Sequence, residues 1–327
     1  MFVNGARLVG ERAREHRVAE LPEDQRKNSA ASLRSIADLL EPPVVTTPTP
    51  PGAGGQTTDP AGFTGRTLGD PAVWQQTAAF EENFPTLASR GKFLDTYKFW
   101  SAYPENYLTT DKKGFYDPDI AIVDVDGTRA MELRVVSGKT NGTGRPSGAT
   151  PEPRLLGPKK DGYTTGERIE MRAKLHKPGP GGHFVPLGLP RRNSDWPKNG
   201  EPDYVEVGTD GAPKVGGWFH LQNGGSSGQG QVKLTSDVSM LDWFTVTAER
   251  IPGKSYRWYV HGKLYKQVLA PGLTPTAEDK AVTTVLAAPY NIPLYELRWP
   301  IQFESKGTSQ TNDVIVLVDH WSLWERV

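Results

Sequence analysis

From about Phe80 onward, apolar and polar positions alternate in short runs set between Gly, Pro, Asn and Asp, and helical spacing nearly vanishes. The clearest runs are Ile120–Val125, Ala130–Val136, Arg168–Leu175, Tyr204–Val207, Gly217–Leu221, Phe244–Glu249, Ser255–Val260 and Val314–Leu323. Alternation with period two marks a strand with one buried face. Many such strands over roughly 240 residues predict an all-β fold, a two-sheet antiparallel jelly-roll sandwich, rather than a parallel α/β sheet. The start of the chain reads differently. After Asn28 and Ser29, Leu33, Ile36 and Leu40 recur at spacings of three and four, which predicts a short helix ended by Pro42 and Pro43. Its narrow stripe fits a solvated helix or a segment docked on a partner subunit. Residues 42–62, dominated by Pro, Gly and Thr, form a linker that cannot bury a core. The expected order is therefore a helical docking segment (1–41), a linker (42–62) and a jelly-roll domain (63–327).

Composition narrows the partners. The 35 Gly and 28 Pro are too many for a helical protein, while 36 % apolar and 9 % aromatic residues are enough for a real core. Lys and Arg balance Asp and Glu at 38 each, which argues against a nucleic-acid binder held by phosphate neutralisation and favours a neutral partner. There is no cysteine, so disulfides and thiolate zinc sites are excluded. Residues 1–40 contain no apolar run long enough for a Sec signal peptide or a membrane span. No P-loop, HExxH or nucleophile-elbow motif is present, and the glycine runs 179–182 and 224–230 read as loop tips.

The chemistry concentrates between Asp195 and Glu206. Glu201 and Asp203 share one face of an ideal strand and Glu206 points the other way, but one extra residue near Tyr204 or Val205 would return Glu206 to their side. Three carboxylates on one face repel each other, which raises the proton affinity of at least one and separates an acid from a nucleophile. By spacing alone the same pattern also occurs on solvated strands and in calcium sites.

In this context the sequence resembles glycoside hydrolase family 16, jelly-roll enzymes that cleave β-glucans and galactans. The similarity runs in order through Phe93-Leu94-Asp95-Thr96-Tyr97-Lys98-Phe99-Trp100, the stretch from Tyr163 to Lys174, Trp196-Pro197 through Glu206, Asp242–Glu249, Arg257–Gly262 and Val316–Trp321. The resemblance implies Glu201 as nucleophile, Glu206 as general acid then base, and Asp203 as the group controlling the proton on Glu206. It implies retaining hydrolysis, with the reactive carboxyls about 5 to 5.5 Å apart, and no required cofactor. Trp196 is either a sugar-stacking platform or a core residue, and His220 either a structural hydrogen-bonding group or a proton carrier. Trp218, Trp243, Trp258, Trp321 and Trp324 are assigned to the core. Asp319 falls where many members of the family place a structural calcium ligand, although a core-edge aspartate fits better because no oxygen ligands cluster beside it. Two departures stand out. Pro202 replaces an aliphatic residue in a strand that should lie inside a sheet, predicting a local displacement, and Gly182–Leu189 lacks two tryptophans of the family pattern.

Two functional classes follow: an endo-acting hydrolase, and a module that holds polysaccharide without cutting it. The domain order adds an expectation of setting. A docking segment and tether before a carbohydrate-active domain, with no Sec leader, suit a virion protein such as a bacteriophage minor tail protein. Residues 1–62 would then attach to other structural subunits, and the protein would act on a host envelope or extracellular glycan.

Overall fold

The computed structural model describes residues 80–149, 151–153, 167–190, 196, 198–224, 230–307 and 312–326. All lie within the compact unit Thr58–Val327. The helix expected over 28–40, the linker 42–62, Pro197 and the stretches 163–166 and 225–229 fall outside the described residues.

Two layers of mostly antiparallel strands form the domain. The outer sheet runs in the order Thr283–Val285, Lys263–Leu269, Ser255–Val260, Phe244–Ile251, Glu167–Lys177, Val314–Glu325, Thr128–Val135 and Ala121–Val125, and Phe80–Glu82 pairs with the end of Val314–Glu325. The second layer is assembled from shorter pieces. Gln231–Ser239 pairs with Lys214–His220, which pairs with Glu201–Asp203. That segment continues as Val207–Gly208, which pairs with Gly182–Pro186 and through it with Ile301–Ser305. A bridge from Phe303 to Ala149 then adds Ser147–Gly148, Phe115–Tyr116 and Tyr107–Leu108.

Side-chain parity explains how the layers meet. In Val314–Glu325, Val314, Val316 and Val318 face the core, whereas Trp321 and Leu323 do so further on. The switch from even to odd numbers falls at a register shift between Val318 and His320, so an extra residue, Asp319, sits in a bulge. In Glu167–Lys177 the alternation is unbroken, with Ile169, Met171, Ala173 and Leu175 inward. Aromatic rings join the layers: Phe219 of the second layer stacks on Tyr256 of the outer one at 4.2 Å.

Three expectations need correction. Tyr204–Val207 is not a continuous strand, because pairing stops after Asp203 and resumes at Val207. Gly182 opens a strand rather than capping a loop, since the absence of a side chain lets it lie against Thr209, whose hydroxyl would be 2.4 Å from a Cβ. Trp258, Trp321 and Trp324 are buried as expected, but Trp218 and Trp243 are half-buried. They cover the outsides of the sheets, with Lys233 over the first and Arg172 over the second.

Candidate active site

Backbone pairing decides which way the acids point. Phe219 faces the core, so its neighbours Trp218 and His220 face away, and their cross-strand partners Asp203 and Glu201 do the same. From the pair Asp203↔Trp218 to the hydrogen bond of Glu206 N–H with Gly216 O (2.8 Å), one strand advances three residues and the other two. This is a β-bulge, and it returns Glu206 to the face of Glu201 and Asp203. Glu206 Oε1 lies 3.7 Å from Nε2 of His183, which also faces away from the core beside the inward Phe184.

The bulge is locked from the opposite sheet. Trp258 Nε1–H donates to the Tyr204 carbonyl at 2.8 Å, and Trp321 Nε1–H donates to the Tyr204 hydroxyl at 3.2 Å. Pro202 fits without displacing the strand. Its carbonyl accepts from Gly188 N–H at 2.9 Å, so its nitrogen lies on that same edge, away from the ladder with Lys214–His220. Gly188 makes the room: a Cβ there would fall 2.8 Å from the Trp299 ring and 2.9 Å from the Pro202 ring.

Glu201, Asp203 and His220 converge, each offering an atom within 4.8 Å of the others, the only such group among the described residues. The two carboxyls lie close enough to repel one another when both are charged. Burial, reinforced by the facing Asp203 charge, pushes Glu201 well above the usual carboxylate range, while the Trp196 indole N–H partly offsets this by donating to it. Burial likewise raises Asp203, with Glu206 and Glu304 adding repulsion. His220 Nε2 is 3.0 Å from Asp203 Oδ2, and Nδ1 is 3.0 Å from the Gln231 side-chain nitrogen. An amide nitrogen can only donate, so Nδ1 accepts and Nε2 carries the proton toward Asp203. Burial lowers the histidine, keeping it neutral. With both nitrogens so engaged, His220 has no lone pair for a metal, and the group is a hydrogen-bonded chain of acids and imidazole.

Trp196 is 38 % exposed and meets the His220 ring edge-on at 5.9 Å, so it stands at the surface beside the acids rather than in the core. Asp319 is remote from this group. It sits in the outer-sheet bulge, ion-paired with Arg172, and burial raises it to about 7. Tyr204, Gln231, His183 and Glu304 complete the site, and the sequence pattern did not single them out.

The acid pair carries a stability cost whose sign can be worked out. A carboxyl raised in the folded state binds more protons there than when unfolded, so stability falls as pH rises from the ordinary carboxylate range, about 4, through the raised value. Asp203→Asn keeps the bond to His220 and removes the charge. It should raise Tm by roughly 2–6 °C at pH 8 and change it little at pH 4, as read by calorimetry.

The two layers form a jelly-roll sandwich. No family model matches the chain, and no curated protein matches it. Solved structures do. The catalytic domain of an endo-1,3-β-glucanase (laminarinase) from Thermotoga petrophila superposes with a TM-score of 0.53 at 15 % identity, covering 77 % of this chain and 98 % of that one. A family 16 protein from a mixed-linkage glucan locus of Bacteroides ovatus, solved with a product, gives 0.52 at 13 % identity over 75 % and 99 %. An immunostimulatory antigen of Mycobacterium tuberculosis described as a pseudo β-1,3-glucanase gives 0.52 at 18 % over 76 % and 98 %. At these identities the likeness is one of fold.

Proposed function

We propose that this protein binds and cleaves a β-linked polysaccharide internally, by a retaining mechanism in which Glu201 attacks the anomeric carbon and Glu206 serves as acid and then base. The observation that carries this reading is the bulge, which brings a third carboxyl onto the face where Glu201 and Asp203 already stand together. Asp203, between the other two acids and held by His220, controls their protonation. Trp196 offers an indole face to a sugar ring. The test is release of reducing ends from laminarin and mixed-linkage glucan, with NMR of the first-formed anomer. Products that keep the β configuration support the mechanism, and inversion refutes it.

A non-catalytic glycan-binding module is the second reading. The missing tryptophans of Gly182–Leu189 favour it, since that stretch presents His183 and Val185 to the open face instead. Measurable affinity for laminarin without any cleavage would select it. We further propose that the domain is presented on a larger assembly such as a phage tail through residues 1–62, whose Pro/Gly/Thr-rich stretch is suited to a tether. A chain starting at Phe63 should fold with an unchanged melting profile and keep its glycan affinity. Aggregation of that chain would show that the N-terminal region is part of the domain.

A further inference from the structure

Beside the three acids, on the same open face, lies a polar cluster for which the proposed chemistry has no role so far. His183 and Glu304 are direct cross-strand partners. On the other side His183 faces Gly208, which has no side chain, so the imidazole spans to Glu206 diagonally. Nε2 lies 3.7 Å from Glu206 Oε1, and Nδ1 lies 3.8 Å from Glu304 Oε2. Glu304 is buried and accepts hydrogen bonds from the Tyr116 hydroxyl and from Lys306 Nζ, the latter at 3.0 Å. Tyr116 pairs with Gly148, whose backbone lies so close to Phe303 that a Cβ would be 2.2 Å from its carbonyl oxygen. The glycine leaves the tyrosine free to reach across to Glu304. Burial would push Glu304 up, but the facing His183, the bond from Tyr116 and the Lys306 charge outweigh it and hold the carboxyl at about 2. A carboxylate therefore stands directly behind an imidazole that faces the proposed acid/base.

We propose that His183, with Glu304 as its counter-ion, is a positioning residue for Glu206: an imidazolium that directs Nδ1–H to Glu304 and Nε2–H to Oε1 of Glu206, placing the acid proton of Glu206 on Oε2. This rests on the hydrolytic role of Glu206 proposed above. A carboxylic acid delivers its proton only from the oxygen that bears it, so a donor on one oxygen sets which oxygen that is. Because Glu304 neutralises the imidazolium, the donor restrains Glu206 without the full field of an isolated cation. The charged groups around the pair are Glu206, Asp203 and Lys306, with the Tyr116 hydroxyl bonded to Glu304.

The first test needs no substrate. In the full-length protein, the ring N–H signals of His183 read by NMR should be protected from solvent exchange and should lose that protection in Glu304→Ala, because the ring loses the carboxylate that holds it. Unchanged exchange overturns the proposal. The second test is kinetic. His183→Ala should lower kcat on laminarin roughly 10- to 100-fold with KM unchanged, while an aryl β-glucoside oligomer with a good leaving group is nearly unaffected, since it needs little proton donation. His183→Gln, which keeps an N–H donor, should recover part of the loss. Equal losses on both leaving groups, or a rise in KM alone, overturn the positioning role. If His183→Ala does not fold, the Gln variant and the exchange of the His183 ring N–H in Glu304→Ala decide. Lost protection in Glu304→Ala with no cleavage of laminarin by the wild type would overturn the hydrolytic reading and leave the His183–Glu304 pair standing.

Discussion

Glu201→Gln should reduce release of reducing ends from laminarin by roughly 1,000-fold or more while leaving affinity for the glucan within about twofold. The substitution keeps the size of the side chain and its ability to accept from the Trp196 indole N–H. What it removes is the anionic oxygen that forms the glycosyl bond. The burial that raises Glu201 makes its ionised form costly, and in the proposed mechanism that ionised oxygen is the attacking group. An amide cannot ionise. Stopped reducing-end assays, run beside calorimetric titration with laminarin, separate the two effects. Cleavage at near wild-type rate would remove Glu201 from the nucleophile role.

Gly217→Ala should be the most damaging single methyl group in the site. A Cβ at this position would lie 2.1 Å from the carbonyl oxygen of Asp203 and 3.3 Å from the nitrogen of Glu206, both backbone atoms that cannot rotate away. The strand must separate from its neighbour at the bulge, which costs about 1–3 kcal/mol or more by analogy with overpacked cores. Separation there also breaks the 2.8 Å bond of Glu206 N–H to Gly216 that fixes the third acid. The expected outcome is a Tm lower by several degrees together with loss of activity larger than the fraction unfolded accounts for. Gly208→Ala is the control, because no atom lies within 4 Å of a Cβ there. Its melting should be nearly unchanged.

Much of the architecture was legible in the chain because a strand declares itself locally. The run Phe244–Glu249 alternates without interruption and Ser255–Trp258 does so as far as the bulge at Trp258/Tyr259, and both lie in paired strands of the outer sheet. The pattern does not single out the strands Gly182–Pro186, Gln231–Ser239 and Ile301–Ser305; glycine and proline interrupt the first, polar residues crowd the end of the second, and the third is only five residues long. Among the tryptophans, periodicity could not separate Trp218 from Trp258, because each lies in a run with apolar neighbours. Which face a residue presents depends on the strand beside it.

Sequence by itself determined that the domain is a β sandwich, that three carboxyls lie within six positions, and that an extra residue was needed to align them. Those are short-range facts, set by the period of the strand and the chemistry of the side chains. Tertiary structure decided the rest. The bulge is held at Tyr204 by indoles of Trp258 and Trp321 from the opposite sheet, and Pro202 is tolerated because its nitrogen faces the Gly188 edge. His183 and Glu304 meet only through the pairing of strands far apart in the chain. The charge held on Glu304 could not be anticipated from spacing, because the energy of a buried carboxyl is set by which dipoles and charges surround it in three dimensions.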